Sequence, residues 1–100
     1  MCKKILNFFV SDHFMQRGWD RRIDSEILYK VLPFVNPVEA NKKLVVVTPS
    51  FLAVKKISSR NDDCLILVLQ QNLLKTCYWC KDPNYLFKKE KHAEFQWLYM

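Results

Sequence analysis

CLILVLQQNLLKTCYWC, residues 64–80, is the stretch whose reading decides the fold. Its first seven residues, CLILVLQ (64–70), form a short apolar run rich in branched side chains, which reads as a strand. Gln71-Asn72 interrupts the run and reads as a turn. LLKTCYWC (73–80) then reads as a second strand, with Leu74, Thr76 and Tyr78 on one face and Lys75, Cys77 and Trp79 on the other.

Upstream, KLVVV (43–47) is continuous and β-branched, as a central strand buried on both faces would be. TPS (48–50) reads as a turn, FLAVKKI (51–57) as a further strand and SSRNDD (58–63) as a polar turn. The N-terminal third changes period. Ser11 is a good N-cap for a helix over about 12–22, with Phe14, Met15, Gly18 and Trp19 on its core stripe. Gly18 costs that helix roughly 1 kcal/mol relative to alanine, and its missing side chain lets a sheet or an RNA approach closely. Asp24 caps a second helix over about 25–35. Its apolar residues Ile27, Leu28, Val31, Leu32 and Val35 recur at helical spacing, and Pro33 kinks it or ends it early. NPVEANKK (36–43) is a loop. Beyond Lys81 a turn at Asp82-Pro83 leads either to a helix from Tyr85 that buries Leu86, Phe87, Ala93 and Trp97, or to an aromatic arm that docks on a partner. The expected fold is therefore α+β: two N-terminal helices packed on an antiparallel sheet of about four strands, with a C-terminal tail or helix. One domain spans 1–100, with its core at about 5–80 and an extension over 81–100.

Half of the 100 residues are apolar, so the chain can bury a core. No apolar run approaches the roughly 18 residues of a membrane span. The N-terminal run in MCKKILNFFVSDHF is too short for a secretory signal, and the expected location is the cytoplasm. The net charge of +6 favours a polyanionic partner.

The four cysteines are Cys2, Cys64, Cys77 and Cys80, and reduced thiols are expected. Cys77 and Cys80 make a C-x-x-C, but on a strand these two residues point to opposite faces, which suits neither chelation nor a disulfide. No metal and no cofactor is expected. The only glycine is Gly18, which excludes a glycine-rich phosphate loop, and Asp62 and Asp63 read as turn residues. Most of the aromatic residues belong to a core; Tyr78 and one aromatic of the tail are the candidates to stack on a base. Lys88, Lys89 and Lys91 form a basic cluster that extends a nucleic-acid track or is simply solvated.

His13, Arg17 and Arg21 recur at i, i+4 and i+8. On a helix each step turns about 40° and rises about 6 Å, so the three line one face over roughly 12 Å. Successive phosphates of a single strand have a comparable spacing. Arginine's planar fork suits them, and histidine titrates near neutral pH. On spacing alone the same stripe also reads as a solvated face beside a core stripe.

The pattern Ser11-x-His13-x-x-x-Arg17-x-x-x-Arg21-x-Ile23 resembles the opening helix of the DUF4258 family. The order that follows, a second helix and then strands with a late Thr76-Cys77-Tyr78, fits the same family over about residues 5–80. Its members resemble the RelE/barnase/EndoU/colicin group of RNase toxins. The resemblance implies that His13, Arg17, Arg21, Thr76 and Tyr78 face one cleft. It implies a metal-independent reaction in which His13 takes the proton of a ribose 2′-OH. Arg17 and Arg21 would then stabilise charge on the phosphate, with Thr76 or Tyr78 holding the phosphate or the leaving oxygen. No second histidine or glutamate is clearly placed as the partner acid, since His92 lies in the tail.

Two functions follow. One is an RNA-directed protein of the RNase-toxin type, an endoribonuclease or an inactive RNA binder, with Arg17, Arg21, Arg22, Lys75, Tyr78, Lys88 and Lys89 on the RNA. Such a protein would have an acidic antitoxin as partner. The other is a small phage or mobile-element inhibitor, for example an anti-CRISPR, that docks on a host nucleoprotein effector or its guide RNA. A third, blander possibility is an interaction module without nucleic acid.

Overall fold

The computed structural model describes residues 3–36, 41–59 and 61–99. The elements in order are β1 (Lys3–Ile5), β2 (Phe8–Val10), α1 (Asp12–Asp20), α2 (Ser25–Val31), a 3-10 turn (Leu32–Phe34), β3 (Lys43–Val47), α3 (Pro49–Val54), β4 (Cys64–Gln70), β5 (Leu73–Cys80), α4 (Asn84–Lys89) and β6 (Glu94–Leu98). Cys2, positions 37–40 of the expected loop and Arg60 of the expected 58–63 turn lie outside the described residues.

The strands form one six-stranded sheet in the order β1-β2-β5-β4-β3-β6. β1–β2, β5–β4 and β4–β3 are antiparallel, whereas β2–β5 and β3–β6 are parallel. This overturns the expectation of two N-terminal helices on a four-stranded antiparallel sheet. The class α+β stands, but the sheet is mixed and larger, and four α-helices occur among the described residues.

Three misreadings account for the difference. FLAVKKI is not a strand: α3 occupies Pro49–Val54, Thr48 is its N-cap and accepts from the Phe51 amide at 3.4 Å, and proline fills the first helical position. The N-terminus forms the hairpin β1–β2, whose turn places Leu6 at φ 55°. The tail is neither one helix nor an arm: α4 is followed by β6, which pairs with β3 from Lys43↔Glu94 to Val47↔Leu98.

The helix caps follow the sequence. Ser11 Oγ accepts from the Phe14 amide at 3.0 Å, and Asp24 Oδ1 from the Ile27 amide at 3.1 Å. Both helices end earlier than their periodicity suggests. α1 stops at Asp20, and α2 gives way at Leu32 to the 3-10 turn that contains Pro33. Of the expected α1 core stripe only Phe14 and Gly18 are buried. Met15 is 43% and Trp19 86% exposed, because α1 rests on the sheet along a narrow line.

Two apolar clusters sit on the two faces of the sheet. The larger joins Val45, Val47, Leu65, Leu67, Leu69, Leu74 and Cys77 to Phe14, Leu28, Val31 and Phe51 of α1–α3. The smaller joins Leu44, Val46, Ile66, Cys64 and Cys80 to Leu86 of α4. Lys43 lies 1% exposed on the larger cluster's face, its Nζ donating to the Asn36 carbonyl at 2.9 Å and pairing with Glu94 at 3.4 Å. β5 departs from simple alternation. The register steps from Val68↔Thr76 to Leu69↔Leu74, so Lys75 is the extra residue of a bulge. Leu74 therefore shares a face with Cys77 and Trp79, not with Thr76 and Tyr78.

Candidate nucleic-acid interface

The bulge and the short β2 leave much of one β5 edge without a strand. β2 pairs with β5 only at Phe9↔Leu73 and Val10↔Leu74. Past that point α1 takes the place of a strand. The Ser11 amide donates to the Leu74 carbonyl at 3.2 Å, and the Ser11 hydroxyl donates to the Lys75 carbonyl at 3.2 Å. At the other end of the helix Arg21 Nη1 donates to the Cys77 carbonyl at 2.6 Å, while Trp79 Nε1 donates to the Arg21 carbonyl at 3.0 Å. This reciprocal pair holds the Arg21 guanidinium against the sheet edge and leaves most of its N–H groups for a ligand.

α1 and α3 end in the same way. The sequences are Arg21-Arg22-Ile23 and Lys55-Lys56-Ile57. In α1 the Ile23 amide donates to the Gly18 carbonyl at 2.7 Å and the Arg22 amide to that of Trp19 at 3.3 Å. In α3 the Ile57 amide donates to the Leu52 carbonyl at 2.8 Å and the Lys56 amide to that of Ala53 at 3.0 Å. Both are Schellman ends, with a left-handed residue followed by a buried apolar one. The left-handed positions, usually glycine, hold Arg22 and Lys56, each at φ 60°.

The two ends meet over one groove of about 720 Å³, which Arg21, Arg22, Lys30, Lys56 and Trp79 line together with Asp20, Asp24 and Glu26. Two of these carboxylates are engaged. Glu26 pairs with Lys30 at 3.4 Å, and Asp24 caps α2. Arg22 and Lys56 make no ion pair with another described residue, and the four cations of the lining outnumber its three carboxylates by one. A second groove of about 350 Å³ lies under the other flank of α1. It is bordered by Arg22, Met15 and the exposed Trp19, over a floor of Ile5, Val10, Phe14 and Leu28.

The residues expected to share one cleft fall into two groups. His13 and Arg17 are exposed on α1, and Arg21 is fixed at its end. Thr76 and Tyr78 project from the opposite face of the sheet to the one on which α1 packs. Gly18 lies against Cys77 Sγ on the α1 side, whereas Tyr78 packs with the smaller cluster. Burial, reinforced by Tyr85, Cys80 and Glu90, pushes the Tyr78 hydroxyl up to about 12. Lys75 is exposed at the bulge, and Lys88 and Lys89 are exposed on α4 with the Tyr78 group. His13 stands about 12 Å of helix rise from Arg21. Sequence reasoning missed Lys30 and Lys56. The doubled motif Arg-Arg-Ile and Lys-Lys-Ile was the available signal for Lys56.

Among the described residues no three His, Cys, Asp or Glu side chains are grouped to hold a metal, and no helix is long and apolar enough to cross a membrane. A scan against protein-family models, a search of curated proteins and a search of solved structures each find no match. The resemblance to the DUF4258 family thus rests on its residue pattern.

Proposed function

We propose that the protein binds single-stranded RNA along α1 and the groove at its C-terminal end, and that it binds without cutting. The observation that carries this reading is the pair of left-handed cations. A non-glycine residue in that conformation costs roughly 1 kcal/mol or more. Arg22 and Lys56 occupy two such positions over one groove, beside the clamped Arg21. Arginine and lysine grip phosphates there, Arg17 extends the track along the helix, and Trp19, at 86% exposed, offers a ring on which a base stacks. The net charge of +6 supports a polyanionic ligand.

Binding is favoured over cleavage because His13, Arg17 and Arg21 are separated by the sheet from Thr76 and Tyr78, so the five residues line no common cleft. A cytoplasmic location and the DUF4258 relationship belong to the same proposal. A second reading, docking of a small phage or mobile-element inhibitor on a host nucleoprotein effector, is favoured by the exposed Met15 and Trp19 beside the smaller, apolar groove.

The test is a titration of labelled single-stranded RNA in EDTA with wild-type protein and His13→Ala, following anisotropy and RNA length together from low to high salt. Both proteins should bind, less tightly as salt rises, and leave the RNA intact. Cleavage by wild type alone would replace the binder by a nuclease. Absence of binding at low salt would remove RNA from the account.

A further inference from the structure

The β4–β5 ladder ends on a pair of thiols. Cys64, the first residue of β4, is in register with Cys80, the last residue of β5. Both side chains lie on the α4 face of the sheet, in the smaller apolar cluster, and both are free. Residues directly opposite in an antiparallel pair have Cα atoms about 4.5–5.5 Å apart. A disulfide spans Cα separations of about 4.4–6.8 Å, so the register places this pair within the Cα range of a cross-strand bridge. The position is shallow: Cys64 is 8% and Cys80 6% exposed, at the strand ends. Cys77 differs in each respect. It points to the other face, is fully buried under α1, and burial pushes its thiol up to about 12.

We propose that Cys64 and Cys80 are the two halves of a reversible cross-strand disulfide, formed by a hydroperoxide and reopened by a thiol reductant. With Cys80 reacting first, its thiolate attacks one oxygen of the peroxide. The O–O bond breaks, an alcohol or water leaves after taking a proton, and Cys80 becomes a sulfenic acid. Cys64 sulfur then attacks the Cys80 sulfur, the S–O bond breaks and water leaves with the Cys64 proton. Two thiols are oxidised to one disulfide while one peroxide is reduced. Burial, then the neighbouring Cys80 and Asp63, push the Cys64 thiol up; the steps balance equally with the two sulfurs exchanged. The product is neutral and removes the mutual repulsion that two adjacent thiolates would feel.

Trypsin makes the test direct. Cleavage after Arg60, Lys75 and Lys81 places Cys64 in peptide 61–75 and Cys77 with Cys80 in peptide 76–81. Full-length protein carrying Cys2→Ser is treated with hydrogen peroxide, blocked with N-ethylmaleimide in denaturant and digested. The expected result is a peptide pair linked through Cys64 and Cys80, with Cys77 alkylated, that disappears on treatment with dithiothreitol. The oxidised protein should also unfold at higher urea than the reduced one, a difference that Cys64→Ser abolishes. Oxidation of Cys80 to the sulfinic acid with Cys64 still alkylated, a link through Cys77, or no link at all would each overturn the proposal.

Discussion

Gly18→Ala tests how α1 is seated. In a solvent-facing helix the change stabilises by roughly 1 kcal/mol. At this position the added methyl would stand 2.6 Å from the Ile23 carbonyl oxygen, whereas ordinary contact begins at 3.4 Å. The obstacle is backbone, not the end of a flexible side chain. It belongs to the turn that the 2.7 Å bond from the Ile23 amide to the Gly18 carbonyl closes. Opening that turn weakens a hydrogen bond worth about 1 kcal/mol net. It also lifts the buried Ile23, whose full burial is worth roughly 1.5–3 kcal/mol. Set against the gain in helix propensity, the net effect is a loss of about 1–3 kcal/mol. For a domain of this length each kcal/mol moves the thermal midpoint by about 4–8 °C. Urea unfolding followed by circular dichroism measures it. A variant as stable as wild type, or more stable, would refute the close packing of helix end on turn that positions Arg21 and Arg22.

The other structural predictions follow the same logic. Arg22→Gly and Lys56→Gly relieve left-handed strain and should each raise stability by a few tenths to about 1 kcal/mol while weakening RNA binding; a loss of stability in the urea midpoint would show that the side chains are structural. Lys43→Met should be close to neutral, because it removes the buried ammonium while Glu94, whose side chain is 30% exposed, keeps access to water. Glu94→Ala should destabilise by about 1–3 kcal/mol, because it leaves the Lys43 ammonium with the Asn36 carbonyl alone; equal effects of the two changes in urea melts would contradict this. Alkaline pH should destabilise the fold. Cys77 and Tyr78 are raised to about 12 from 9.0 and 10.0, so the unfolded chain releases these protons first. Stability is then fully present below about pH 9 and falls as pH rises towards 12. Tyr78→Phe should flatten the part of that fall above pH 10 in urea midpoints, and an unchanged profile would remove burial of the hydroxyl as its cause.

Much of the fold was legible locally. The N-caps Ser11 and Asp24 stand where their spacing placed them, and the strands at 43–47, 64–70 and 73–80 have the expected bounds. FLAVKKI was opaque because a short apolar run looks alike as strand or buried helix; Thr48-Pro49, an N-cap followed by a proline at the first helical position, was the overlooked signal. β1 and β2 are three residues each, too short to show alternation, and their turn lacks glycine. β6 reaches its place beside β3 through a crossover carrying α4, a pairing that no local pattern encodes. In the site, the spacing of His13, Arg17 and Arg21 was readable, and so was the shared face of Thr76 and Tyr78. Which face α1 would cover was not, since it depends on Gly18 meeting Cys77 across the molecule. Lys56 is hidden in the sequence because the apolar run before it, which forms α3, has the pattern of a strand.

The most direct test of RNA binding at the twin helix ends is the salt dependence of affinity for a single-stranded RNA. Each phosphate contact adds about 0.7 to the magnitude of the slope of log K against log salt. Arg22→Ala combined with Lys56→Ala should bind more weakly and with a slope shallower by about 1.4, while Lys88→Ala with Lys89→Ala should leave the slope at the wild-type value. An unchanged slope in the first pair, or a loss confined to the second, would contradict the placement of RNA in this groove.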